Sequence, residues 1–355
     1  MSNFIKIIAY SICLVCQCCL TETGLAQQTF SVFMEKGIRS DEDKEFLQAV
    51  ANFEHAIEIE PNNEQAWLSL GVVRTHMKEY GLAVVDFNKA IYLNPQLMTA
   101  YLYRHIAFRE TENYLFAFSD INYYLAHNQG DTIARKYRFE ISMLLKEWSV
   151  AADDLFWIRN NLGEDMFTAM FTQLAASIQA TKSFAEFQPI VTQCSLANPS
   201  NVTVLLSMVN NSYQLSDYNT CLRAVNPALV FQPHNLHLLK IRADVLFYLN
   251  QLEESEKAFE YLLQLESTDG NAMADYGHCL LQLKKWGEAD EWLTKSIANK
   301  NTSPAYAYLG RGIARFNMGK TGIACTDWER SYLLGEKNAQ KWLEENCPST
   351  NNSKP

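Results

Sequence analysis

Trp67, Gly71, Tyr80, Ala83, Phe87, Ala90 and Pro95 stand at spacings that return along most of the chain with a period of about 34 residues. A period of that length constrains the fold more than any single motif, because so short a segment cannot bury its own apolar face and must stack on its neighbours. The positions Trp67, Leu70 and Gly71, then Tyr80, Ala83, Phe87 and Ala90, keep helical spacing on both sides of a short break. They predict two amphipathic helices joined by a turn. Gly71 and Ala83 let the two axes approach, Trp67 and Phe87 fill the wider spaces, and Pro95 ends the second helix.

The register extends in both directions. Ala49, Phe53, Ala56 and Pro61 precede it, and Tyr101, Tyr114, Ala117 and Ile121, then Trp148, Ala151 and Leu155, follow. Two residues intrude after Asp165, and the frame resumes at Phe171, Leu174, Ala175, Val191, Cys194 and Pro199. It continues through Tyr218, Val225, Phe259, Gly277 and Leu293 to a last repeat read as Tyr306, Leu309, Gly310 and Ile313, with a lengthened turn before Ala324 and Trp328. His105 and Phe139 replace the small residue at the Gly71 position, which predicts helix pairs standing further apart there. Pro189 and Pro227 fall inside second helices, which predicts shortened or kinked helices and a hinge or change of curvature from Phe184 to Pro233.

This residue set resembles the signature of the tetratricopeptide repeat (TPR) family. The resemblance implies an all-α fold, a right-handed superhelical solenoid of about nine antiparallel helix pairs over 27–347 closed by a C-terminal capping helix. The segment from Ala324 to Cys347 is also similar to a Sel1-like closing unit, with Ala339, Trp342 and Leu343 as the stripe that covers the last repeat. Residues 348–355, rich in Ser, Asn and Lys, read as a disordered tail.

Lys6, the apolar run from Ile7 to Leu20 and the small residues Gly24 and Ala26 resemble a secretory signal peptide over 1–26. The run is short of the roughly 20 residues that span a bilayer, so removal is expected rather than membrane insertion. The localisation expected is periplasmic or secreted. Lipidation of Cys16, Cys18 or Cys19 as an envelope lipoprotein is the alternative, although the residues before them fit a lipobox poorly. Nine cysteines are present, four of them at Cys13, Cys16, Cys18 and Cys19. Of the remainder, Cys194 and Cys221 read as compact apolar filler, while Cys325 and Cys347 could staple the cap by a disulfide.

The formal net charge is −10, and loss of residues 1–26 removes Lys6 and Glu22 and leaves it unchanged. An acidic chain is a poor partner for nucleic acid, which needs a concentrated basic face. No glycine-rich phosphate loop, zinc-protease pair or CxxC outside the leader is present, so no catalytic residue, metal ligand or cofactor is assigned. His234 and His237 lack an evident third ligand, and Asp153 and Asp154 read as a solvated helix end.

The resemblance implies a non-catalytic interaction scaffold or adaptor whose first helices line a concave groove for a peptide or helix of a partner protein. Projection of the family's groove positions runs from Gln65, Leu68, Val72, Thr75 and His76 through Thr99, Leu102, Ile106, Arg109 and Glu110, then Lys136, Glu140 and Met143, to Asn210, Tyr213, Gln214, His237, Lys240, Asp244, Phe247 and Tyr248, and on to Asn271, His278, Gln282, Arg311 and Arg315. Arg109 and Lys136 are expected as charge contacts and Tyr213, Phe247 and Tyr248 as apolar anchors, with Lys240, Arg311 and Arg315 also assigned to the groove. No adjacent pair of repeats supplies the Lys, Asn and Arg set with which family members hold a peptide carboxylate. An accessory subunit of an envelope enzyme or transporter, and a glycan-binding solenoid, are the alternative readings. Self-association remains open.

Overall fold

The computed structural model describes residues 27–299 and 301–347, and the leader and tail read from the sequence lie outside them. Every regular element among the described residues is a helix: α1 (27–42), α2 (Phe46–Ile59), α3 (Glu64–His76), α4 (Tyr80–Leu93), α5 (Met98–Glu110), α6 (Tyr114–His127), α7 (Thr132–Leu145) and α8 (Trp148–Leu162). There follow α9 (Glu164–Thr181), α10 (Phe184–Ala197), α11 (Val202–Gln214), α12 (Tyr218–Phe231), α13 (Leu236–Tyr248), α14 (Leu252–Leu265), α15 (Gly270–Gln282), α16 (Trp286–Ala298), α17 (Pro304–Asn317), α18 (Thr321–Leu333) and α19 (Asn338–Asn346). They pack as nine consecutive pairs, with α19 added to the last. The chain forms two compact units, divided between Met170 and Phe171 inside α9. No described helix is long and apolar enough to cross a membrane.

The turns explain why the period is so strict. Each first helix ends on a left-handed residue: Lys44, Lys78, Glu112, Lys146, Lys182, Ser216, Asn250, Lys284 and Gly319. Lys78 N donates to Thr75 O at 3.0 Å and Glu79 N to Arg74 O at 2.8 Å, the paired bonds that close the orphan carbonyls of a helix end. At the other end Asn63, Asp131, Asn201, Asn235 and Asp269 accept backbone N–H groups of the first turn. Trp67 Nε1 donates to Pro61 O at 2.9 Å, tying the loop to the helix it opens.

The step between left-handed turns is two residues longer from Lys146 to Lys182, where α9 is extended to 18 residues. It is one residue longer from Lys284 to Gly319. That extra residue lies in the loop before α17 and not, as the sequence spacing suggested, in the turn before Ala324. Gly312, rather than Gly310, therefore takes the Gly71 position: a Cβ on it would lie 2.4 Å from Trp328 Nε1, as a Cβ on Gly71 would lie 2.6 Å from Phe87 Cε1. At both places the ring occupies the space that a side chain on the facing residue would need. His105 and Phe139 are fully buried at the same position, and the residues across from them are the smaller Ile121 and Leu155.

Pro189 and Pro227 do not shorten their helices. α10 and α12 each run 14 residues, the length of α4 and α14. Each proline removes one intrahelical bond, and the buried faces Phe187, Val191 and Cys194, or Cys221, Val225 and Ala228, hold the remaining turns in place.

A polar brace recurs within the pairs. Arg104 on α5 donates to Asp120 on α6 at 2.7 and 2.8 Å and to Asn88 on α4 at 2.6 Å. Arg138 joins Asp154 and Asn122 in the same way, and Arg74 joins Asp86 and Glu54. One guanidinium thus ties consecutive second helices through the first helix between them. Asp154 is fully buried and accepts from both Arg135 and Arg138, so its reading as a solvated helix end is corrected. Its equivalents over 171–299 are Ile190, Ala224, Ala258 and Trp292, and the brace returns only at Asp327.

At the C-terminal end Cys325 and Cys347 form a disulfide with a Cα–Cα distance of 5.8 Å. Beneath it Trp342 stacks on the fully buried Trp328 at 5.1 Å between centroids, and Ala339 closes the cluster. Among the described residues Cys194, Cys221 and Cys279 are unbridged and buried, and burial pushes the Cys221 thiol up to about 12.

Candidate functional site

The second unit carries three adjoining depressions over its first helices α11, α13, α15 and α17. One of about 420 Å³ lies between the α9–α10 region, α11 and α13. A second, of about 800 Å³, runs over α15 to the loop before α17 and to Glu336. A narrow one of about 30 Å³ sits between them, against Phe247, Tyr248 and Tyr306. Lys240 belongs to the first two, Asp244 links the first to the narrow one, and Asp275 and Tyr306 link the narrow one to the second.

Lys240, at the centre, is held between two carboxylates, Asp275 at 2.5 Å and Asp244 at 3.4 Å. Two carboxylates facing one ammonium leave the cluster one negative charge in excess. Burial pushes Asp244 up to about 6, against the pull of Lys240 and with the charge of Asp275 adding to the rise. The two carboxylates push Lys240 above the usual lysine range despite its burial. Tyr213 donates to Asp244 Oδ2 at 3.4 Å, and burial with the nearby carboxylate raises its phenol.

Aromatic rings border this charge. Tyr248, 54 % exposed, stacks on Tyr218 at 4.6 Å and meets Phe247 edge-on at 5.8 Å. Tyr306 stacks on His278 at 3.5 Å. Burial pulls His278 down to about 4, so the ring is neutral near pH 7 and its Nε2–H donates to the Tyr306 carbonyl.

Of the residues selected from sequence, Tyr213, Lys240, Phe247 and Tyr248 come together here, with Asn210, Gln214, His237 and Asp244. Lys240 is already ion-paired. Arg311 and Arg315 do not face this surface as free charges: Arg311 donates to Asp327 at 2.6 Å, and Arg315 to Asp290 at 2.7 Å and Asp327 at 2.8 Å. The register explains the misplacement: Gly312 rather than Gly310 holds the Gly71 position, and two residues turn a helical position by about 200°, which puts Arg311 in register with Arg104 and Arg138. Arg109 and Lys136 belong to the first unit. Arg109 contacts Glu110 at 2.9 Å and Glu140 at 3.5 Å and lies over the Tyr137 ring, and Lys136 is half-buried on α7. His234 bonds Tyr261 at 3.2 Å, while the exposed His237 borders the 420 Å³ depression. Asn211 and Asp275 were missed because each sits one helical step off the projected positions.

Residues 64–97 match the tetratricopeptide repeat family profile. That match covers the helix pair α3–α4, and the same pairing of consecutive helices is repeated on either side of it. Among solved structures, YrrB, described as a TPR protein with an unusual peptide-binding site, is 15 % identical over 53 % of this chain and 95 % of its own, with a TM-score of 0.46. MamA is 17 % identical over 49 % and 94 %, with a TM-score of 0.44. A tetratricopeptide repeat protein from Parabacteroides merdae is 15 % identical over 82 % and 99 %, with a TM-score of 0.36. No curated protein matches the sequence at a significant level.

Proposed function

We propose that the protein is a non-catalytic scaffold or adaptor that holds a segment of a partner protein along α11, α13, α15 and α17. The observation that carries this reading is the run of adjoining depressions on four successive first helices, with Tyr248 and Tyr306 exposed at its edge and an ion-paired cluster at its centre. Exposed tyrosines are the residue type around which interface binding energy concentrates, and a neighbouring polar cluster supplies orientation. The protein works outside the cytoplasm, a reading supported by the apolar leader and by the Cys325–Cys347 bridge, since disulfides persist in oxidising compartments.

The test uses a displayed library of random peptides selected on the intact chain. Tyr248→Ala, at an exposed ring, is expected to weaken a retained peptide about tenfold or more while leaving the urea unfolding curve unchanged. Unaltered affinity would place the binding surface elsewhere.

A further inference from the structure

Two residues that line the 420 Å³ depression, Asn211 and Asp244, carry acceptors without a close donor. Asn211, 2 % exposed, spends its amide nitrogen on Phe184 O at 3.1 Å and Gln188 Oε1 at 2.5 Å, and its Oδ1 has no hydrogen-bond partner. Asp244 has Tyr213 and Lys240 only at 3.4 Å, because the short contact of Lys240 goes to Asp275. Charge-assisted bonds to a carboxylate normally close to about 2.7–2.9 Å, so this carboxylate is under-coordinated. A buried acceptor left in that state costs free energy that an incoming donor recovers.

We infer that this depression receives the guanidinium of an arginine presented by the partner segment, an inference that rests on the groove reading above. A guanidinium carries five N–H donors and no acceptor in a planar fork, which suits two separate acceptors on one wall. Its charge balances the carboxylate left over in the Asp244–Lys240–Asp275 cluster, and its methylene stem lies against Ile178 and Phe187. An acidic side chain in the same place would meet Asp244 and leave Asn211 Oδ1 orphaned. A lysine offers three donors from a single point, without the planar fork that directs donors to separate acceptors. The formal net charge of −10 favours encounter with basic segments.

The same peptide selection, read for composition, tests this. Arginine is expected to be enriched at one position of the retained peptides, and replacing it by citrulline, of the same shape without the charge, is expected to weaken binding about tenfold. Asp244→Asn on the protein removes that arginine–citrulline difference, and Lys240→Met, which takes away the competing cation, tightens the arginine peptide several-fold. Retained peptides without basic enrichment, or equal affinity for arginine, lysine and citrulline, overturn the arginine assignment and leave the groove reading standing. Retention of no peptide overturns both.

Discussion

Asp154→Ala is expected to cost the first unit about 3–5 kcal/mol, read as a lowered urea midpoint with the loss concentrated in α7 and α8 by hydrogen exchange. The size follows from what is left behind and not from the pair's net worth. Asp154 is fully buried and neutralises two guanidinium groups, Arg135 at 2.9 Å and Arg138 at 2.6 Å, whose side chains are only 13 % and 17 % exposed. Removing the carboxylate strands both charges away from water. The neighbouring Asp153 is exposed, so Asp153→Ala should stay within about 0.5 kcal/mol and serves as the internal control. Equal effects at the two positions would show that the brace contributes nothing beyond surface charge.

Reduction of the Cys325–Cys347 bridge is expected to cost about 3 kcal/mol in the chain-entropy account, given its sequence separation of 22. The loss should fall on α18 and α19, because the end of a stacked array has a neighbour on one side only. Trp328, Trp342 and Ala339 still bury the cap after reduction, so fraying of α19 before the rest of the second unit is the expected pattern. Cys325→Ser should reproduce the effect of a reductant. Superimposable unfolding curves with and without reductant would contradict it.

These two effects differ in how far the sequence announces them. Helix pairs are legible from Trp67, Gly71, Phe87 and their counterparts, because steric fit between one small and one large residue fixes both identity and spacing. The cysteines are legible because each flanks the same amphipathic cap. The braces are not: Arg138 and Asp154 lie sixteen positions apart across a turn, and nothing local separates such a pair from two solvated charges. The groove was half legible. Positions Tyr213, Lys240, Phe247 and Tyr248 follow from the repeat register, whereas Asn211 and Asp275 depend on how neighbouring helices rotate about one another. Arg311 and Arg315 were misplaced for the opposite reason, since the register of α17 was read two residues early, at Gly310 instead of Gly312.

The central claim, that the first helices of the second unit hold a partner segment, is tested most directly by hydrogen–deuterium exchange of the intact chain with and without the best peptide retained from the random library. Slowed exchange along α11, α13, α15 and α17, with α12, α14 and α16 little changed, is the predicted result. Protection confined to the first unit, or spread along the second helices, would contradict it.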